Sequence, residues 1–109
     1  MKLEKIPFRK INWEKIKKIS VPGEKGKSKY RRATVGEIRT RIVKYSENYL
    51  ADHWCEKGHI VHCLEGKFTI EIKNGKKYIL KKDESCIVGD GIDSHRVISK
   101  SGGKLLIID

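Results

Sequence analysis

The chain has 109 residues, 25 of them Lys or Arg and 14 Asp or Glu, giving a formal net charge of +11. That length makes one domain that hides roughly two thirds of its unfolded surface without a covalent staple, and no stretch approaches the ~18 uninterrupted apolar residues of a membrane span or offers a signal-peptide core. Cys55, Cys63 and Cys86 form no CxxC pair, which argues against a disulfide framework or zinc ribbon and for reduced thiols in a cytoplasmic protein.

Leu3 to Phe8 reads as a short leading strand ending near Pro7, and Asn12 as the N-cap of a single helical turn through Trp13 and Ile16. Residues 1–32 hold twelve Lys or Arg against Glu4, Glu14 and Glu24, a surplus of nine. Such a run is most simply a solvated, Lys-rich surface. Nucleic-acid binding through this basic arm is a lesser reading, because few aromatics beyond Phe8, Trp13 and Tyr30 interleave with the charge and no groove-reading motif is present. Val21 to Ser28 carries Pro, Gly and charged or hydroxyl residues, the chemistry of an exposed loop. Residues 1–29 are thus an arm and loop, and residues 30–109 a β-domain.

From Tyr30 onward the pattern is all-β. Tyr30 to Val35 and Glu37 to Tyr45 flank Gly36, followed by Tyr49 to Cys55, His59 to Leu64, Lys67 to Ile72, Lys76 to Leu80, Ser85 to Val88, Ser94 to Ile98 and Lys104 to Ile108. Short strands at this spacing belong to sandwiches and barrels. Asn74-Gly75 is a type I′ hairpin signal that pairs Phe68, Ile70 and Ile72 with Tyr78 and Leu80. Glu65-Gly66 reads as a turn before that hairpin, and Gly89-Asp90-Gly91 as another before His95. Alternation puts His59, Val61 and Cys63 on one face, taken as the interior, and leaves His62 on the other.

The chemistry concentrates in Asp52 to Gly66, where His53, Cys55 and His59 fall within seven residues. On a strand His53 and Cys55 project to one side, with about 6.6 Å between their Cα atoms. The polar turn Glu56-Lys57-Gly58 then brings His59 back beside them. Three donors leave a tetrahedral or octahedral ion short of partners, and His95, in Ser-His-Arg-Val-Ile, is the natural fourth. The expected site is therefore a metal held by His53, Cys55, His59 and His95. Asp52, facing away from His53 on an ideal strand, reads as a supporting group, and Trp54 as packing outward.

These residues resemble a small single-domain cupin, specifically the set marked by a DHCW motif, here Asp52-His53-Trp54-Cys55. The first cupin motif runs His, any residue, His, three or four residues, Glu, six residues, Gly. This chain reads His53, Trp54, Cys55, three residues, His59, six residues, Gly66. Cys55 stands where His is usual and His59 where Glu is usual. In the second motif His95 matches the histidine, while Asp90, Ile92 and Ser99 depart from its Pro, Gly and Asn.

The resemblance implies a double-stranded β-helix, a jelly-roll barrel with one divalent metal inside, a mouth for a small ligand, and a homodimer. A thiolate and three imidazoles shift the preference from Mg²⁺ or Mn²⁺ toward Zn, Fe, Ni or Cu. The reading is a metal-binding cupin contacting a small polar ligand. If it is an enzyme, it is a metal-dependent oxidoreductase or isomerase. The alternative is a non-enzymatic ligand- or metal-sensing module.

Overall fold

The computed structural model describes residues 3–109 and contains nine strands and one short 3-10 turn: β1 Ile19–Pro22, β2 Lys27–Val35, β3 Ile38–Tyr45, β4 Tyr49–Leu50, β5 His59–Ile72, β6 Lys77–Lys81, β7 Ser85–Val88, β8 His95–Ser99 and β9 Gly103–Ile108, with the turn at Trp13–Lys15. All strand pairs are antiparallel. One layer runs β1-β2-β3-β9-β5-β7 and the other β6-β5-β8-β4, with β5 shared between them. The layered sheet curls until the turn after β1 meets β4, where Lys25 and Leu50 exchange backbone hydrogen bonds at 3.0 and 3.3 Å. Closing a sheet on itself in this way hides strand edges that would otherwise pair with other chains.

β5 is the spine. Glu65-Gly66, expected to be a turn, instead lies within one 14-residue strand, with an irregularity in register between Cys63 and Glu65 where the strand passes from one layer to the other. Gly66 has φ +83° and opposes Gly103 in the ladder, and a Cβ on Gly66 would collide with the backbone of Gly102 and Gly103. Two backbones approach closely here because neither partner carries a side chain. The Asn74-Gly75 hairpin forms between β5 and β6 but is not type I′: Gly75 has φ +101° and Asn74 does not have positive φ. Gly75 N–H donates to Ile72 O at 2.9 Å, and Asn74 Oδ1 accepts from Lys76 N–H at 3.0 Å. This is the three-residue loop with a left-handed glycine in its last position.

The N-terminal reading is revised in two places. Leu3–Phe8 makes no strand: Glu4 and Lys5 turn, Lys5 has φ +58°, and Leu3 and Phe8 remain exposed. Without a partner edge, the run has no ladder to join. Val21 and Pro22, expected in a loop, belong to β1, which pairs with β2 and leaves only a tight turn around Gly23–Gly26 exposed to carry the Lys25 bridge. Asn12 caps Trp13–Lys15 as expected, accepting from Glu14 N–H at 3.2 Å.

Inward alternation builds the core. Val61 and Cys63 of β5, Val43 and Tyr45 of β3, and Leu105 and Ile107 of β9 are buried on facing positions. Tyr45 packs edge-on against Tyr49 and Phe68, with ring centroids 4.7 and 5.3 Å away, and plugs one end of the bowl. The other end of the same strands carries His59, Arg41 and Asp109. Substituting Gly66 by Ala destabilises the fold by at least about 1–2 kcal/mol from the left-handed φ alone, with the backbone collision added; urea denaturation measures the loss, and an unchanged midpoint contradicts this account of the β5 bend.

Candidate metal centre

The strand expected through Cys55 stops at Leu50, and residues 52 and 53 bend. The ladder resumes only at Cys55, whose N–H donates to His95 O at 2.7 Å while His95 N–H donates to Cys55 O at 3.0 Å. This two-bond bridge sets Cys55 beside His95. The Glu56–Gly58 turn is pinned from β7–β8: Gly58 N–H donates to Asp90 Oδ1 at 2.6 Å, and Gly91 N–H to Glu56 O at 3.0 Å. His59 then opens β5, facing inward with Val61 and Cys63 as alternation predicts.

Cys55, His59 and His95 converge, with one donor atom from each lying within 4.8 Å of the others. His53 is not part of this group. The bend turns its ring outward, 75% exposed, with Nδ1 2.6 Å from Asp52 Oδ1. It stays on the rim of the cavity of about 200 Å³ that the three line together. Trp54 packs outward as expected and is covered by the guanidinium of Arg96, 4.4 Å from its ring, which is itself tied to Glu71 at 3.0 Å. His62 faces away from the cavity, its Nδ1 2.7 Å from Ser85 Oγ.

The hydrogen bonds behind the two rings decide what lies between them. His95 Nδ1 is 2.8 Å from Asp93 O, and a carbonyl only accepts, so Nδ1 carries the proton. His59 Nδ1 is 3.3 Å from Asp109 Oδ2 and donates to that carboxylate. In the neutral rings both Nε2 atoms are then bare acceptors, yet they face one another at 2.8 Å. Two lone pairs at that distance repel unless the rings share a proton or a metal ion. Burial pushes the His59 pKa below its ordinary value, with His95 and Arg41 adding to the effect and the Asp109 hydrogen bond opposing it, and this favours the neutral, metal-ready ring. Two imidazole nitrogens beside a thiol are the donor set a borderline transition ion takes. The residues therefore fit a metal.

Asp109 is the group that sequence reasoning missed. Its side chain is 1% exposed and accepts from Arg39 Nε and Nη2, each at 2.9 Å, as well as from His59. Burial alone would raise its pKa; the bonds from Arg39 and His59, with the charges of Arg39 and Arg41, outweigh this and hold it at about 2. An ionised carboxylate behind a ligand imidazole orients the ring and raises its basicity. The signal was present as parity: Leu105, Ile107 and Asp109 alternate on one face, as do Arg39, Arg41 and Val43, so charges were following apolar residues toward the interior.

No protein-family model matches the sequence, and no curated protein matches it. Solved structures do. An RmlC-like cupin from Shewanella frigidimarina is 17% identical, with 96% of this chain and 88% of that one covered at TM-score 0.71. A predicted oxalate decarboxylase from Thermotoga maritima is 16% identical, with coverage of 92% and 96% at TM-score 0.77. The ectoine synthase from P. lautus is 17% identical, with coverage of 93% and 76% at TM-score 0.74. The fold is that of the cupins. Identities this low carry the architecture and not the chemistry. Among the described residues no helix is long and apolar enough to cross a membrane.

Asp109 gives a pH signature. Its folded pKa of about 2 lies below the ordinary 3.8, so its contribution is complete above 3.8 and disappears as pH falls toward 2. His59 acts earlier and in the same direction: its folded pKa is below 6.5, so the unfolded chain takes the proton first and acidification through 6.5 weakens the fold. Asp109→Asn lowers stability at neutral pH by about 1–3 kcal/mol. Urea titrations across pH should show that difference shrinking between 3.8 and 2; a constant difference contradicts the pairing.

Proposed function

We propose that the protein is a metal-binding cupin of the DHCW-type set, in which Cys55 Sγ, His59 Nε2 and His95 Nε2 hold one divalent transition ion at the wall of the cavity, facing a small polar ligand. The observation that carries this reading is the convergence of Cys55, His59 and His95, one donor atom from each within 4.8 Å of the others, with both rings committed through Nδ1 to an acceptor behind them. Cys55 adds the soft donor and, as thiolate, the negative charge. Asp109 and the Asp93 carbonyl keep both rings in the ligating tautomer. When bound, such an ion supplies Lewis-acid polarisation to a ligand oxygen.

Three protein donors leave a coordination position open, which favours contact with a ligand over a closed structural ion. His53 becomes a fourth donor only by turning in from the rim. The same reading takes the protein as a homodimer joined through the outer sheet face, where Ile60 and Ile87 pair across β5 and β7 and Ile87 is 80% exposed. Light scattering tests this: Ile87→Lys should run as a monomer while the parent runs as a dimer.

Protein purified without chelator should carry close to one equivalent of transition metal by mass spectrometry. Cys55→Ala, His59→Ala and His95→Ala should each lower metal affinity by more than about ten-fold, and Asp109→Asn by about 10–100-fold. His53→Ala should keep its metal. Full occupancy in both His59→Ala and His95→Ala rejects the site.

A further inference from the structure

Positive charge collects on the inner side of the cavity mouth in excess of what the protein neutralises. Arg32 and Arg41 stand directly opposite in the β2–β3 ladder, and the Arg32 guanidinium lies 6.0 Å from the ring of Tyr30, its neighbour on the same face. Like charges directly opposed across a strand pair destabilise it. One pair further on, Arg39 takes both oxygens of Asp109, and His59 shares Oδ2. Little is left for Arg41. Its Nη2 reaches Asp109 only at 3.6 Å, and its Nε–H is buried with no hydrogen-bond partner. Asp52, the carboxylate on the cavity wall, is taken by His53.

Leaving a guanidinium N–H buried without an acceptor costs free energy, and Arg41 lines the same cavity as Cys55, His59 and His95. We infer that the cavity's ligand is a small organic carboxylate whose head group seats on Arg41, with Arg32, opposite it in the ladder, drawing it in. This deepens the metal-binding reading and rests on it only for what the far end of the ligand meets. Size and charge narrow the class. A water molecule's share of liquid is about 30 Å³, so about 200 Å³ takes a ligand of a few carbons. A planar guanidinium matches the two oxygens of a carboxylate. Val43, Val61, Ile70 and Ile107 on the same wall suit a short apolar body behind the head group.

Calorimetry on metal-free and zinc-loaded protein, with propionate, lactate, propionamide and inorganic phosphate as probes, tests this directly. Propionate and lactate should bind, and neutral propionamide should not. Arg41→Gln should weaken carboxylate binding by about ten-fold or more, with Arg41→Lys intermediate because it keeps the charge without the fork. Zinc stoichiometry and the melting curve of each variant show that the site is still built. Equal binding of propionamide, a preference for phosphate, or unchanged affinity in a folded Arg41→Gln protein overturns the inference. The two readings fail separately: Arg41-dependent carboxylate binding by a protein that takes up no zinc removes the metal and keeps the anion site. Zinc uptake with no carboxylate binding does the reverse.

Discussion

Two imidazole nitrogens held lone pair to lone pair are the constraint on which the site turns. Neither ring is free to relieve it. His95 is tied through Nδ1 to a main-chain carbonyl and clasped by the bridge to Cys55, and His59 is tied to a buried carboxylate that is itself held by Arg39. Such an arrangement is relieved by a proton or a metal ion shared between the rings, and a metal ion there would lie beside a thiol. The metal-binding proposal therefore rests on the convergence of three donors from separate strands.

The architecture explains how such distant residues meet. β5 begins in one layer and ends in the other, so His59 at its start and Ile72 at its end reach both halves of the barrel, and Ile72 pairs with His95 across β8. The glycine contact at Gly66 and Gly103 makes that passage possible. One end of the bowl is filled by the Tyr45, Tyr49 and Phe68 cluster, which leaves the other for polar groups. Charge is unevenly balanced beside it: Arg39 and Arg41 share the one carboxylate of Asp109, and Arg32 stands opposite Arg41 in the ladder. It is on this local surplus of guanidinium that the carboxylate proposal rests.

Much of this was readable before folding. Period-2 alternation with turn residues at regular spacing gave the all-β class, and the His53 to Gly66 spacing gave the cupin resemblance, because strand geometry forces side chains two apart onto one face. The inward assignment of His59, Val61 and Cys63 needed nothing else. Parity also pointed inward for Arg39, Arg41 and Asp109, although hydropathy alone hides such residues by scoring them as solvent-facing.

What the chain alone determined was which side chains alternate together, and hence the strands, the core face and the clustering of His and Cys side chains near residue 55. Which donors meet was a tertiary outcome. Cys55 is placed by bonds to His95 forty residues away, while its near neighbour His53 is swung outward by a bend in the backbone. The carboxylate that orients His59 comes from the far end of the last strand. Convergence of this kind depends on strand pairing and the curl of the sheet, long-range terms that no local pattern encodes.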